Sequence, residues 1–465
     1  MGAWCGSDSA KERCLMSSAG HQPSRRQILR GMLAVGTGQA LARRQRGRAS
    51  AAQLSGKITV GYEDPIGVLQ PQIDLAVQAV TSAHPNAEIE LRKAPGGNFA
   101  TQIFLALSTK RAPDVFLLNS LGIGELAAAG FLAPLDPYLA TWDGWAQYPE
   151  MIKQALTFQG HVWALPYVLD THFLYYRKDL FERAGLPREW QPVTPDDILA
   201  AARQIKERLP DLVPYALYAG ANGGNGTATR GLLPLIYAYG GTLQDEQGKW
   251  IIDSCPLRKA LRYYEIAYQV DRTVPQQVMT AADPIKTMRE LFIQGGLAIV
   301  FEGSWTYGEW ERADPDTTTR EVGYRLFPAA SGRPPFTIGG LGNAWYMNAL
   351  TKNPDLAWAF IAAMNTRDAQ VALNLADLHI PPRVDAAADP AFQATEFRKA
   401  MIASIDAIRI APPDPAYRQL VGIVQNGTGL VASGEATADQ ALQRYADELT
   451  RVLGADNVVK QPCGE

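Results

Sequence analysis

The sequence predicts an α/β protein with a parallel, doubly wound sheet and room for a second domain. Three observations carry that expectation. Strand-like and helix-like segments alternate from residue 57 onward. The chain is 47% apolar over 465 residues, enough to bury two cores. Residues 160–185 pass from a short aromatic hairpin into an amphipathic helix through a Pro-Tyr-Val-Leu-Asp crossing, a pattern expected of a hinge beside a ligand cleft.

Residues 57–62 read as the first strand, 69–83 as a helix, 87–92 as a strand, and 98–109 as a helix capped by Asn98. Residues 114–118 follow as a short apolar strand, and the helix 124–129 ends at Gly130. In such a βαβαβα run ligands lie outside the carboxyl ends of the strands, so the loops after Tyr62 and Leu118 should face one. Within 160–185, Gly160 supplies a turn, 162–165 and 173–176 are rich in strand formers, and the helix 178–184 stops at Gly185. Thr194-Pro195-Asp196-Asp197 caps a helix reaching Arg208, Gly240-Gly241 closes a helix from Arg230, and the turn 245–248 leads into the strand 249–252. Helices follow at 256–269 and 284–294, and residues 295–305 form a strand emerging into a glycine turn that presents Trp305. The last hundred residues are mainly helical, at 353–364, 367–375, 395–408, 416–431 and 438–453.

The first residues indicate where the protein works. Ser24-Arg25-Arg26-Gln27-Ile28-Leu29-Arg30 is a twin-arginine motif, followed by a mildly apolar run, 31–42, and an Ala49-Ser50-Ala51 cleavage candidate. The expectation is export by the Tat translocase to the periplasm or cell-envelope space as a soluble protein. The apolar run is too short for a bilayer anchor. No cysteine follows that run, so the chain does not read as a lipoprotein. Residues 1–51 carry nine Lys or Arg against two Asp or Glu, so their removal takes the formal charge from −3 to −10. An acidic chain of this kind is a poor partner for nucleic acid or anionic lipid. Only Cys255 and Cys463 remain after cleavage, too few for a disulfide scaffold, and whether they pair is left open.

Five loose motifs occur in one order: His84-Pro85-Asn86, Ala112-Pro113-Asp114-Val115, Ala129-Gly130-Phe131-Leu132-Ala133-Pro134-Leu135, the 160–185 segment, and 295–305. In that order they resemble the family 1 extracellular solute-binding proteins of ABC importers, over residues 57–453. The resemblance implies a two-lobed periplasmic-binding-protein fold of type II, each lobe a doubly wound sheet flanked by helices, joined by hinge strands. The expected division is an export signal at 1–51, one lobe from 53–168 plus 303–348, and the other from 169–302 plus 349–465. It also implies capture without catalysis, cofactor or metal by a monomer, with permease transmembrane subunits and a cytoplasmic ATPase as partners. Arg177 stands where relatives commonly carry asparagine, and Leu118 where they often carry an aromatic.

A sugar shows C–H patches on its faces and hydroxyls around its edge, so a site for it needs aromatic rings together with carboxylates and amides. Trp305 sits where the resemblance implies a stacking ring, or it is a core residue. Asp170 matches an acidic hinge position that accepts sugar hydroxyls, or it is a solvated turn aspartate. Glu63 and Asp64 follow the first strand and sit at the cleft rim or cap the next helix. Asn119 and Ser120 follow the third strand. The cluster Gly339-Gly340-Leu341-Gly342-Asn343 matches a loop whose amides approach the solute, with Gly340 and Leu341 as candidates, or is a flexible turn before the strand 344–348. Tyr167, Tyr218, Asn222 and Arg383 complete the candidate set.

The signatures His-Glu-x-x-His, Cys-x-x-Cys, Gly-x-Ser-x-Gly and the phosphate loop are all missing, and His84, His161, His172 and His379 are scattered. These absences speak against an enzyme, and the resemblance implies as function the substrate-binding component of an ABC importer for a mono- or oligosaccharide. A binder of glycerol phosphodiester, polyol or polyamine in the same fold is the alternative, and an exported glycoside hydrolase is the rival from another class.

Overall fold

The computed structural model describes residues 53–64, 67–94, 99–330, 332–411, 414–461 and 463. The twin-arginine segment, the cleavage candidate and the Asn98 cap lie outside the described residues. The chain first lays down β1 (Ser55–Glu63), β2 (Asn86–Ala94) and β3 (Val115–Asn119), with the helix Gln70–Ala83 between the first two and Phe99–Ser108 before the third. A small hairpin, β4 (Thr157–Phe158) and β5 (His161–Val162), leads to β6 (Ala164–Pro166) and the long β7 (Leu169–Arg177). Then come β8 (Val213–Ala216), β9 (Trp250–Asp253), β10 (Leu297–Gly303), β11 (Val322–Arg325), β12 (Thr337–Leu341) and β13 (Asn343–Met347). The last strands are β14 (Ile408–Arg409) and β15 (Val458–Lys460).

Two large sheets result. The first has the order β2-β1-β3-β13-β6, and the second runs β14-β12-β7-β10-β8, with β11 also paired to β7. β1 is parallel to β2 and β3, and Ile58, Val60 and Tyr62 on one of its faces are buried. Helices cover both faces of such a sheet, which is why β3 reads as an unbroken apolar run. The carboxyl ends of β1 and β3 fall at Glu63 and Asn119, the positions the alternation predicted for a ligand-facing edge.

The chain passes between the sheets along adjacent segments. β6 leads to β7 through Tyr167 and Val168, while β12 returns to β13 through Gly342. The two passages hold each other: Gly342 N donates to Val168 O at 3.2 Å and Tyr167 N to Asn343 O at 3.4 Å. A third strand of contact comes from Ile380, which exchanges backbone hydrogen bonds with Leu169 at 2.8 and 3.2 Å. Two boundaries expected from sequence are corrected here. β11 and β12 pair with β7, so the chain rejoins the first sheet at Gly342 and not at residue 303. The helix Pro354–Met364 still packs on the first sheet, with Phe360 edge-on to Trp345, so the switch at 349 lies further along. Arg383 bonds Asn365 on that side, whereas Phe397 stacks on Tyr307 beside the second sheet, which brackets the crossing.

Residues 339–341 form part of β12, a strand where the sequence suggested a loop or flexible turn. The physical reason is close approach. A Cβ on Gly339 would sit 2.1 Å from the Asp170 carbonyl oxygen, and one on Gly342 would sit 2.2 Å from Asp170 Oδ1. Glycine in a strand marks such contact between backbones.

The Thr194 capping box forms with Asp197, and the helix Pro195–Arg208 starts where predicted. The helix expected from Arg230 instead opens with a π-turn, Thr227–Leu232, before Leu233–Ala238. Pro234 cannot donate to the ladder, and the extra residue in the preceding turn leaves Pro234 at the start of the α-helical register. The helix expected to reach 408 ends at Ala403, because Ile408 and Arg409 pair with Thr337 and Ile338. The open question of the cysteines is answered: Cys255 and Cys463 form a disulfide across 208 residues, with Cα atoms 5.1 Å apart. It pins β15 beside its partner β9 and closes a long loop, the geometry in which a crosslink most restricts the unfolded chain.

Candidate functional site

A cleft of about 390 Å³ opens where the carboxyl ends of β1 and β3 face the crossing strands and the second sheet. Eight of the residues singled out from sequence line it: Glu63, Asp64, Asn119, Ser120, Tyr167, Asp170, Trp305 and Leu341. Gly340, Tyr218, Asn222 and Arg383 are placed elsewhere.

Each lining side chain is held by identifiable forces. The Asp64 carboxylate accepts Leu69 N at 3.2 Å and Gln70 N at 2.9 Å, so the capping alternative is realised at the cleft wall. Lys93 stands 3.6 Å from the same carboxylate. Glu63 has no hydrogen-bond or ion-pair partner among the described residues, and burial raises its pKa. Asn119 Oδ1 accepts Leu121 N at 3.1 Å, starting the turn Ser120–Gly122. Ser120 stitches the two sheets: its hydroxyl donates to Leu341 O, and its amide donates to Gly342 O at 2.9 Å.

Trp305 is the second residue of the helix Ser304–Ala313, so it is carried by a helix start and not by a glycine turn. The indole folds back over Gly303, where a Cβ would come within 2.2 Å of the ring. Half-buried, it is surrounded by His379, stacked at 4.9 Å and 14°, by His172 edge-on at 5.2 Å, and by the Arg230 guanidinium 5.9 Å from its centroid. These neighbours fix the ring's orientation before any solute arrives.

Behind Trp305 lies a buried charge network. Glu302 is fully buried and accepts from Tyr218 Oη at 2.7 Å, Arg230 Nη1 at 3.2 Å and Arg289 Nη2 at 2.8 Å. Burial alone would raise the Glu302 pKa, but Arg230 and Arg289 outweigh it and bring it to about 2. Tyr218 is therefore spent on holding Glu302. Arg289 also reaches Glu309 on the cleft wall at 3.0 Å.

Sequence reasoning missed Arg230, His172, His379 and Asp377, all of which line the cleft. His379 lies between two carboxylates, with Nδ1 3.1 Å from Asp377 and Nε2 3.5 Å from Asp170. Burial works against its charge, yet Asp377 and Asp170 raise its pKa. Burial raises the Asp170 pKa, with His379 and Arg230 opposing. His172 is the opposite case: burial, reinforced by Arg230, lowers its pKa to about 3. A neutral His172 donates from Nδ1 to Ile338 O at 2.7 Å, which leaves Nε2 as an acceptor.

The remaining candidates have other work. Arg383 is buried, bonds Asp385 at 2.9 and 2.6 Å through Nε and Nη2, and lies 5.8 Å over the Trp142 ring. Asn222 donates to Ala281 O at 3.0 Å. Gly340 has φ of 131°, and a Cβ there would come within 3.1 Å of Ile410. Arg177 donates to the carbonyls of Phe292 and Ile293 at 2.8 and 3.0 Å, closing the end of the helix Pro284–Ile293. Among the described residues no group of three or more His, Cys, Asp or Glu could hold a metal ion, and no helix is long and apolar enough to cross a membrane.

Among the described residues the cleft thus offers the partly exposed indole of Trp305, several carboxylates, an acceptor imidazole and amides. That set suits reversible capture of a polyhydroxylated molecule. The family model described as bacterial extracellular solute-binding protein matches residues 68–371. The chain is 24% identical over 410 residues to the maltotriose-binding protein of Pyrococcus abyssi, covering 85% of this chain and 82% of that one. It is 25% identical over 326 residues to an uncharacterized ABC transporter extracellular-binding protein of Pyrococcus horikoshii, covering 68% and 69%. The GacH receptor of Streptomyces glaucescens, solved unliganded and with acarbose, superposes with a TM-score of 0.74 at 23% identity, over 87% of this chain and 100% of that one.

Proposed function

The chain belongs to the bacterial extracellular solute-binding proteins, and we propose that it is the carbohydrate-capturing component of an ABC importer. The observation that carries this reading is the convergence of Trp305, Asp170 and Glu63 on one cleft between the sheets. A stacked ring with charge-assisted acceptors around it is what a sugar's faces and edge require. The relatives named for maltotriose and crystallised with acarbose support a saccharide over other solutes.

In this reading the sheets swing toward each other about the passages at 166–169 and 341–343, the solute bridges them, and the closed form docks on permease subunits served by a cytoplasmic ATPase. The protein acts as a monomer and releases its solute unchanged. Arg230 reaches the cleft while pairing with Glu302 through Nη1 at 3.2 Å, so a phosphodiester would have to compete with that carboxylate for it. The checking experiment is calorimetry and thermal shift of the mature protein against mono- and oligosaccharides. A micromolar sugar, worth about 8 kcal/mol, should add about 2.7 kcal/mol of stability at a hundredfold excess over Kd. A response confined to glycerol phosphodiesters, polyols or polyamines overturns the saccharide reading, and product formation from a glycan overturns binding without catalysis.

Export through the Tat translocase is the second part of the proposal, resting on Arg25-Arg26 and the apolar run behind them. Replacing both arginines with lysine should leave full-length precursor inside the cell in a fractionation assay. Unchanged export of that variant would remove the twin-arginine route.

A further inference from the structure

The polar cleft adjoins a second chamber of about 210 Å³, and the two share Asn119, Leu121, Asn225 and Tyr417 along their border. The chemistry changes across that border. One wall of the second chamber is Ala100 and Phe104, one turn apart on the helix Phe99–Ser108, with Leu118 in β3, Leu121 in the turn Ser120–Gly122 after it, and Glu125 beyond. The opposite wall is Tyr417 and Val421, one turn apart on the helix Tyr417–Ser433. Leu118 contributes aliphatic surface to the first wall.

A second sugar ring brings hydroxyls on every edge and loses their hydration on entering such a space, with few polar groups in return. An apolar ring has no such hydration to lose and covers the apolar faces of Phe104, Leu118 and Val421. We infer that this protein takes a glycoside with an apolar aglycone, its sugar in the polar cleft and an aryl or alkyl group between Phe104 and Val421. The inference rests on the carbohydrate reading above and narrows its substrate class to amphiphilic glycosides.

The experiment is calorimetry of the mature protein with the methyl and p-nitrophenyl glycosides of glucose, galactose and mannose, and with maltose. For the sugar that binds, the aryl glycoside should bind at least tenfold more tightly than the methyl glycoside. Val421→Asn, and Val421→Phe as a variant that fills the chamber, should abolish that difference while the methyl glycoside binds as before. Equal affinities for the aryl and methyl forms overturn the inference, as does tighter binding of maltose than of the aryl glucoside. An aryl preference that survives both Val421 variants overturns the chamber as its cause. Failure of every sugar to bind overturns the carbohydrate reading itself, a result distinct from sugar binding without an aryl preference.

Discussion

Replacing Glu302 with glutamine is expected to destabilise the folded protein by about 3–5 kcal/mol at neutral pH, the range seen when one partner of a buried charge pair is removed. The substitution keeps size and one acceptor but leaves Arg289 and Arg230 facing each other without the carboxylate between them. The sign of the pH effect is fixed by the lowered pKa. Glu302 titrates at about 2 when folded, against 4.5 for the free side chain. Its contribution is therefore fully present above pH 4.5 and is lost as pH falls toward 2. A displacement of this size corresponds to about 3 kcal/mol. Urea unfolding at pH 7 and pH 3 checks both parts: the parent should lose more stability than Glu302→Gln between those values. A change below about 1 kcal/mol at pH 7 would show that the network is relaxed by water or rearrangement.

The same network explains why an arginine can line a cleft built for neutral hydroxyls. Arg230 is drawn back to Glu302 and lies over Trp305, so its charge orients the indole and leaves Glu63 and Asp170 as the exposed acceptors. His379 sets the opposite side of the ring and is itself held by Asp377 and Asp170. Loss of Glu302 should thus weaken sugar binding as well as the fold, because Arg230 would be free to turn into the cleft.

Much of the fold was legible because parallel strands buried on both faces leave an unmistakable trace, as Val115 to Leu118 do in β3. The cleft walls from β1 and β3 followed from topology alone, since the carboxyl ends of adjacent parallel strands must share an edge. Other features depended on distant partners. The glycines at 339, 340 and 342 read as a turn because the strand they approach, β7, lies about 170 residues earlier and gives no local sign. Arg230 read as an ordinary helical residue, because the π-turn that places it depends on tertiary packing that sequence periodicity does not register. His379 and Arg383 lie in one segment, and only the His379 ring reaches Trp305; the Arg383 fork finds Asp385. Tyr218 sits near the cleft in sequence terms, but its hydroxyl is directed to Glu302 behind it. In each case the residue type pointed to a polar site, and the partner that settled its role came from elsewhere in the chain.

Trp305→Ala should weaken sugar binding at least a hundredfold, about 2.7 kcal/mol. The indole offers a large, rigid, largely apolar face, and among the described residues no other large aromatic ring in the polar cleft is as exposed as Trp305. The cost to stability should be smaller, about 1–2 kcal/mol, because the ring is half-buried and its removal leaves a space open to solvent and not a sealed cavity. Trp305→Phe separates stacking from mere filling: a smaller ring in the same place should recover part of the affinity, whereas leucine should not. Titration calorimetry on the three variants, with melting curves to confirm folding, provides the readout. If the alanine variant binds sugar within threefold of the parent, the indole serves only to brace His379 and Arg230, and recognition must rest on the polar groups of the cleft, Glu63 and Asp170 among them. Hydrogen bonds accepted by those carboxylates are offset by their desolvation, so each polar contact contributes little net affinity by itself. For that reason the ring, more than any single polar residue, is expected to decide whether the cleft holds its solute.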